Sequence, residues 1–200
     1  EAVCEKSGRM SGLDCVYHLK IKGEQTIFSV AWGSVADSTA GAIVNAANEE
    51  CVSGKGIDGE INKRGGAALK AERCRYAKDK YNEYGFRVRC PAGKALTTSS
   101  GDDTTRLKCK FVIHAVGPDL RNFDPNKDVG WNSRSRGFEL LEEAYASAMQ
   151  EAMELNLEVV AFCMLSSGAF RGRFSREEIV QSGVNYILLN VYDGLQQVFF

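Results

Sequence analysis

The stretch "GAIVNAANEECVSGKGIDGEI", residues 41–61, joins an apolar run to a glycine-rich loop that carries one acid. Its residues 42–44 are Ala, Ile and Val, a composition typical of a short buried strand. Asn45 and Asn48 follow at the point where that strand should end. Asp58 then lies among the glycines of the loop, at the start of a segment with helical spacing. This order predicts a strand, a loop and a helix, with polar groups collected at the carboxyl end of the strand.

Composition and charge indicate one globular domain. The chain has 200 residues, of which 44% are hydrophobic and 26% charged, and no linker-like segment divides it. We therefore predict a single domain over residues 1–200, with residues 1–25 as an N-terminal extension or extra edge strand and residues 119–136 as a long surface loop. The formal net charge of −1 argues against a protein that holds nucleic acid through a general basic field. The longest apolar run, residues 159–165, is too short to span a membrane.

Cysteine usage indicates a reducing, intracellular compartment, cytoplasmic and/or nuclear. The chain has 7 cysteines, an odd number, and contains no CxxC pair. With only 2 histidines available, no cluster has the spacing of a zinc site, and we expect neither a metal nor a cofactor. Residues 1–10 lack a basic segment followed by an apolar one, so we expect no signal peptide there.

Hydrophobic patterns along the chain predict alternating strands and helices. Predicted strands cover residues 15–22, 26–33, 41–47, 94–98, 107–117, 158–165 and 195–200, with a turn at 23–25 between the first two. Predicted helices cover residues 57–64, 67–80 and 137–156, and a last helix begins at Ser175, which forms a capping box with Glu178. Such alternation is typical of α/β proteins. The expected fold is a three-layer α/β/α sandwich with a mixed, mostly parallel central sheet of about six strands.

Two glycine loops follow predicted strands: "SGKGIDG" at residues 53–59 and "SSGAFRG" at residues 166–172. Glycines let backbone N–H groups approach a ligand and helix N-termini favour anions, so two such loops facing each other would suit a diphosphate. The alternative is that each loop is a simple turn. The GxxxxGK[ST] pattern of P-loop proteins is absent. A formal GxGxxG match within the first loop is rejected as a dinucleotide fingerprint, because Asp79, 20 residues beyond Gly59, falls inside a charged helical run.

Asn45, Asn48 and Asp58 are the polar side chains that this arrangement would bring to one edge of the sheet. A carboxamide both donates and accepts, so it can read sugar hydroxyls without a charge, and a carboxylate can accept a proton or hold a water. The alternative is that the asparagines turn the chain after the strand and that Asp58 offsets the helix dipole. His114 is predicted to be a core-strand histidine, so a Ser-His-Asp site is not expected.

These segments resemble the signature of the macrodomain family, the ADP-ribose-binding module. "AIVNAANEECVSGKGIDGEI" resembles its strand ending in NAAN with the following glycine loop. "KFVIHAVGP", residues 110–118, resembles the family's next core strand, and "LSSGAFRG", residues 165–172, resembles its second phosphate loop. The likeness is closest to the MacroD-like class of ADP-ribosyl hydrolases. In that class the last Asn of NAAN and the Asp of the loop lie ten residues apart, as Asn48 and Asp58 do here.

The resemblance implies a role for each matching position. Asn48 would hold the distal ribose of ADP-ribose, and Asp58 would orient or deprotonate the attacking water, without a metal. One loop would line the diphosphate through backbone N–H groups, the second would close the other side, and Phe170 would pack on the distal ribose. The implied ligand-binding residues are Ser34, Val35, Asn45, Gly54, Lys55, Gly56, Ile57, Ser166, Ser167, Gly168, Ala169 and Phe170.

The chain departs from the family pattern at several positions. The family Asp that accepts a hydrogen bond from the adenine amino group is Ser34 here, so we predict weaker adenine recognition unless Asp37 substitutes. Lys55 would either add charge near the diphosphate or point to solvent. Asn62 stands where the family commonly has a histidine.

The resemblance implies a hydrolase that removes mono-ADP-ribose from acidic side chains of proteins and could also deacetylate O-acetyl-ADP-ribose. Its partners would be ADP-ribose and mono-ADP-ribosylated proteins, and we expect a monomer. The alternative is a non-catalytic reader of ADP-ribose or ADP-ribosylated proteins. Asp58, at its spacing from Asn48, favours the hydrolase, because a reader does not need the acid. A nucleic-acid or poly-ADP-ribose binder is disfavoured by the net charge of −1.

Overall fold

The computed structural model describes residues 3–5, 9–10, 12–20 and 26–200. Within these ranges the strands are β1 (Val3–Glu5), β2 (Arg9–Met10), β3 (Leu13–Lys20), β4 (Ile27–Trp32), β5 (Ala42–Ala46), β6 (Lys80–Tyr81), β7 (Arg87–Val88), β8 (Ala95–Ser99), β9 (Phe111–Ala115), β10 (Val159–Phe162) and β11 (Gln197–Phe199). The α-helices are α1 (Gly56–Arg75), α2 (Arg134–Glu154) and α3 (Arg176–Leu189). The turn predicted at residues 23–25 lies outside the described residues.

Six strands form the centre of the main sheet, in the order β4–β11–β10–β5–β9–β8. The first five pair in parallel, and β8 joins β9 antiparallel. Next to β4 lies the antiparallel β3, with which β1 and β2 pair in turn. Val44 of β5 is in register with Phe162 of β10 and Ile113 of β9, so the carboxyl ends of these three strands meet at one edge. The prediction of a mixed, mostly parallel sheet is confirmed.

The helices cover both faces of this sheet. Successive side chains of β5 enter two different apolar clusters, as expected for a strand buried on both faces. Val44 packs in the cluster that contains Leu141 of α2 and Ile179 of α3. Ile43 packs on the opposite face, in the cluster that contains Leu69 of α1. The predicted three-layer α/β/α arrangement is therefore confirmed.

Helix α1 is interrupted at Gly66, where φ is 67° and ψ is −155°. This backbone conformation is nearly limited to glycine. Next to the interruption, the carbonyl oxygen of Arg64 accepts a hydrogen bond of 2.8 Å from the backbone N–H of Arg106. The two helices predicted around Gly65 and Gly66 thus lie end to end in one element, and their junction falls at the predicted place.

A hairpin of β6 and β7 follows α1, and the sequence did not indicate it. The prediction that the second helix reaches residue 80 is wrong: α1 ends at Arg75, and Lys80 and Tyr81 pair with β7 instead. The loop between β9 and α2 contacts this hairpin: the ring of Trp131 packs edge to face on that of Tyr84, with ring centroids 6.5 Å apart. Trp131 nevertheless stays 67% exposed.

The other two helices begin at polar caps. The Ser133 hydroxyl accepts from the backbone N–H of Arg136 at the start of α2, so the predicted surface loop 119–136 ends earlier than expected and also includes a 3-10 helix over Leu120–Asn122. Ser175 and Glu178 form the predicted capping box at the start of α3. In the described part of the chain, no helix is both long and apolar enough to cross a membrane.

Candidate functional site

A cavity of about 440 Å³ opens at the carboxyl edge of the sheet, beyond β5, β9 and β10. Its volume is in the range of small-molecule sites, about 300–1,000 Å³. The lining residues are Ala46, Ala47, Asn48, Gly54, Lys55, Gly56, Ile57, Asp58, Gly117, Met164, Ser166, Ser167, Gly168, Ala169 and Phe170. Most of the residues predicted for the site therefore lie around one space, and both glycine loops border it. Ala46, Ala47, Gly117 and Met164 are additional lining residues that were not predicted.

Asp58 lies in the first turn of α1 and is only 2% exposed. Its Oδ1 accepts hydrogen bonds from Asn45 Nδ2 at 2.6 Å and from Arg73 Nη1 at 2.7 Å. Its Oδ2 has no hydrogen-bond partner among the described residues. That oxygen lies against Gly54 of the cavity wall, where a Cβ atom would be 2.4 Å away. The absence of a side chain at position 54 thus lets the loop lie directly over this oxygen.

Arg73 is a buried cation behind the cavity that the sequence analysis missed. Its side chain is 0% exposed and forms an ion pair with Asp58. Its Nε donates to the carbonyl oxygen of Cys51 at 2.8 Å, and its Nη1 also donates to Asn62 Oδ1 at 2.7 Å. One signal in the sequence was available: Arg73 follows Leu69 by four residues, which places both on the same, buried face of α1.

Asn45, which was predicted to bind the ligand, does not line the cavity. It is fully buried at the end of β5, because this strand is covered on both faces. Besides the bond to Asp58, its Nδ2 lies 3.0 Å from His114 Nδ1. His114 is buried, as predicted for a core-strand histidine, and its Nε2 lies 3.0 Å from Thr98 Oγ1. Burial, and secondarily the positive charge of Arg73, hold the pKa of His114 well below its usual value.

Asn48 borders the cavity, but its amide is used within its own loop. Its Nδ2 donates to the carbonyl oxygen of Ser53 at 2.9 Å, and its Oδ1 accepts from the backbone N–H of Cys51 at 3.1 Å. Cys51 has a φ of 52°, so the loop turns sharply at this point. The alternative interpretation of Asn48 as a turn residue therefore describes what it does in this structure.

The second loop is held from below by the core. The Tyr145 hydroxyl accepts a hydrogen bond of 2.9 Å from the backbone N–H of Leu165, and burial raises the pKa of this tyrosine. Ser166, with a φ of 51°, donates through its hydroxyl to the carbonyl oxygen of Pro118 at 2.7 Å. Phe170 is half-buried and carries the guanidinium of Arg121 5.5 Å from its ring centroid. These contacts fix the loop from β10 against the end of β9.

Ser34 and Val35 do not line the cavity, and their role in ligand binding stays a prediction. The Ser34 hydroxyl donates to Glu60 Oε2 at 2.9 Å, and Val35 is buried in the cluster beside α1. Asp37 is also engaged, because its carboxylate forms an ion pair of 2.6 Å with Arg64. The short 3-10 helix over residues 35–37 turns these side chains toward α1 rather than toward the cavity.

Comparison with known proteins identifies the family to which this chain belongs. The Macro domain family profile matches residues 44–181. The chain belongs to the Macro domain family. This macrodomain is 37% identical over 138 residues to "Macro domain-containing protein TTE0995" of Caldanaerobacter subterraneus subsp. tengcongensis, an alignment that covers 69% of this chain and 67% of that protein. It is 35% identical over 141 residues to a Citrobacter koseri protein named "O-acetyl-ADP-ribose deacetylase", with 70% and 68% covered.

Solved structures share the fold of this macrodomain. The Oceanobacillus iheyensis macrodomain with ADP has a TM-score of 0.69 at 23% identity, covering 88% of this chain and 85% of that chain. The Trypanosoma brucei macrodomain in complex with ADP-ribose has a TM-score of 0.67 at 22% identity, covering 90% and 66%. At these identities the likeness concerns the fold.

Proposed function

We propose that this macrodomain binds ADP-ribose and hydrolyses the bond between ADP-ribose and acidic side chains of proteins. The observation that carries the proposal is the Asp58 carboxylate. One of its oxygens is held by two donors, and the other is buried beside the cavity wall, with no hydrogen-bond partner in the part of the chain that the structure describes. An unsatisfied buried acceptor of this kind is costly to maintain unless a ligand or water uses it.

The cavity supports the binding of a nucleoside diphosphate sugar. Helix α1 begins at Gly56 without a side-chain cap from Lys55, so its first backbone N–H groups remain available to an anion at the cavity wall. The second loop, with Ser167, Gly168 and Ala169, faces it across the cavity. A diphosphate between the two loops would receive backbone donors from both sides.

The same geometry supports hydrolysis. With the distal ribose beside Phe170 and Asn48, Asp58 Oδ2 would accept a proton from the water that attacks the anomeric carbon or an ester on the ribose. Gly54 covers that oxygen in this structure, so the exposed loop around it must shift as the substrate enters. Asn48 would exchange its bond to Ser53 for one to a ribose hydroxyl. The name of the Citrobacter koseri relative supports deacetylation of O-acetyl-ADP-ribose as a second activity.

Release of ADP-ribose from a protein that is mono-ADP-ribosylated on acidic residues tests the proposal. We expect the wild type to release it, and Asp58→Asn and Asp58→Ala to lower kcat by about 100-fold or more, since a positioned general base contributes roughly 10²–10⁴-fold. Asp79→Ala, which removes an exposed acid, serves as the control and should keep full activity.

A non-catalytic reader is the second candidate. It is favoured by the engagement of the Asn48 amide within its own loop. Calorimetry with ADP-ribose distinguishes the two. If the wild type binds ADP-ribose but releases none from the modified protein, the hydrolase proposal is wrong and the reader is supported.

A further inference from the structure

Asp58 belongs to a network of hydrogen-bonded, buried polar side chains on the side of the carboxylate that faces away from the cavity. Arg73, Asn45 and His114 are each 0% exposed and none of them lines the cavity. They connect to Asp58 Oδ1 directly or through one another, and they leave Oδ2 untouched. Polar groups so far from solvent are costly unless their hydrogen bonds serve the fold or the site.

We propose that Arg73 and His114 are positioning residues, which fix the Asp58 carboxylate so that Oδ2 alone is left for the substrate and its water. The effect of these residues on rate rests on the proposed hydrolase function. Their effect on the orientation of the carboxylate does not.

The guanidinium of Arg73 ties three parts of the chain together. It reaches the carbonyl oxygen of Cys51 after β5, Asp58 in the first turn of α1, and Asn62 one turn later. Its planar group presents donors in fixed directions, whereas the ammonium of a lysine is a compact charge on a flexible stem. Lysine at position 73 would keep the charge but lose this simultaneous contact with the three acceptors.

His114 acts through Asn45, and the hydrogen bonds determine which ring nitrogen carries the proton. The Thr98 hydroxyl has a single hydrogen, which it donates to the carbonyl oxygen of Ser99 at 2.8 Å. The contact between Thr98 Oγ1 and His114 Nε2 must then be donated by the ring N–H. His114 Nδ1 is left as an acceptor, and it takes one N–H of Asn45 Nδ2 at 3.0 Å.

The remaining N–H of Asn45 Nδ2 points to Asp58 Oδ1. Both hydrogens of this amide are therefore assigned, and its orientation is fixed by His114 on one side and Asp58 on the other. A protonated His114 would set an N–H against the N–H of Asn45, and the low pKa of the buried ring prevents this. Any rotation of the Asp58 carboxylate that moves Oδ1 out of this position would break the bonds from Arg73 and Asn45 together.

The test compares Arg73→Lys with Arg75→Lys, the same substitution two residues along α1 at a side chain that is 78% exposed. For Arg73→Lys we expect kcat to fall on the order of 10- to 100-fold, because a small misplacement of a catalytic group has effects of this size, with KM within about twofold of the wild type. Arg75→Lys should match the wild type in both. An unchanged kcat in Arg73→Lys, with the wild type active, would overturn the role of Arg73 and leave the hydrolase function standing.

Substitutions of His114 provide the second measurement. Gln can accept from Asn45 and donate to Thr98, so His114→Gln should retain most of kcat, whereas His114→Leu should lower it with KM unchanged. Equal losses in both variants, or a change confined to KM, would contradict a positioning role.

Crystal structures of the variants give a readout that does not depend on activity. In Arg73→Lys the Asp58 carboxylate should rotate or occupy two orientations, and in Arg75→Lys it should keep the wild-type orientation. If the wild type proves inactive, the hydrolase proposal fails, and these structures still decide the positioning role. An Asp58 carboxylate that keeps its orientation in both Arg73→Lys and His114→Leu would refute it.

Discussion

The contact between Gly54 and Asp58 shows how much a single hydrogen atom matters at this site. Gly54 has no positive φ, so its backbone would accept another residue. What excludes a side chain is Asp58 Oδ2, 2.4 Å from the place of a Cβ atom. The constraint is therefore on the carboxylate and its access, more than on the local backbone.

Gly54→Ala is expected to damage activity more than stability. The added methyl group must displace either the carboxylate or the loop that covers it, and a loss in kcat on the order of 10- to 100-fold follows from the altered geometry. Because the loop is exposed, the free energy of unfolding should change by less than about 1 kcal/mol. Steady-state kinetics and urea unfolding followed by circular dichroism measure the two effects. A normal kcat would show that Asp58 does not need this space.

Ser34→Asp restores the acid of the family pattern, but the structure predicts no gain in affinity for ADP-ribose. The Ser34 hydroxyl donates to the carboxylate of Glu60. An aspartate would place two carboxylates in contact, which should lower the free energy of unfolding by on the order of 1 kcal/mol. Calorimetry and urea unfolding test this expectation, with Ser34→Ala as the uncharged control. Tighter binding by Ser34→Asp would contradict it.

His114 makes stability depend on pH. Burial holds its pKa in the folded protein well below the value of about 6.5 in the unfolded chain. Below pH 6.5 the unfolded state therefore binds a proton that the folded state does not. Proton binding favours the unfolded state, so the free energy of unfolding decreases as the pH falls. The loss from one such group is at most about 1.4 kcal/mol per pH unit. Urea unfolding between pH 5 and 7 should show a shallower dependence in His114→Gln, and parallel curves would rule out His114 as the source.

At the scale of elements, the interruption of α1 at Gly66 reverses the usual effect of a Gly-to-Ala substitution on the stability of a helix. Within a regular helix, replacement of Gly by Ala is stabilising by up to about 1 kcal/mol. At Gly66, with φ 67° and ψ −155°, Ala is expected to be destabilising by about 1–3 kcal/mol. Apart from the adjoining residues and the backbone of the helix itself, no atom of the described residues lies within 4 Å of a Cβ at this position, so the change in stability reports the backbone conformation alone.

Urea unfolding of Gly66→Ala measures this effect. Lys70→Ala, at an exposed position of the same helix, is the control and should stay within about 0.5 kcal/mol of the wild type. A more stable Gly66→Ala would mean that α1 can straighten without cost.

The local pattern of hydrophobic and polar residues predicted most of the helices and strands. It failed where a strand is defined only by its pairing with another strand. Strand β5 and the capping box of α3 depend on neighbouring residues, which the sequence displays directly. The hairpin of β6 and β7 has two residues in each strand, too few to show a period of two. The charged segment 76–80 continues the helical spacing of α1, so it was assigned to the helix.

At the scale of the whole molecule, the site is the edge where the carboxyl ends of β5, β9 and β10 meet. A parallel sheet brings together loops that are distant in sequence, and glycines mark those loops in advance. The glycines therefore indicated the two loops, and the resemblance to the macrodomain family supplied the individual residues of most of the cavity lining. The contacts of Arg73, His114 and Ser34 could not be predicted, because each depends on the register of a strand or helix against a partner many residues away.

The exposure of the tryptophans has a consequence for fluorescence measurements on this protein. Its 2 tryptophans, Trp32 and Trp131, are 77% and 67% exposed. Their fluorescence in the folded state should therefore already be that of tryptophan in contact with water. Intrinsic fluorescence should therefore change little on unfolding. Trp131, however, contacts Tyr84, which lines a recess of about 190 Å³ that shares Phe170 with the main cavity. We therefore expect Trp131 emission to respond more to a ligand that moves Tyr84 than to unfolding, which titration with ADP-ribose and urea unfolding measure.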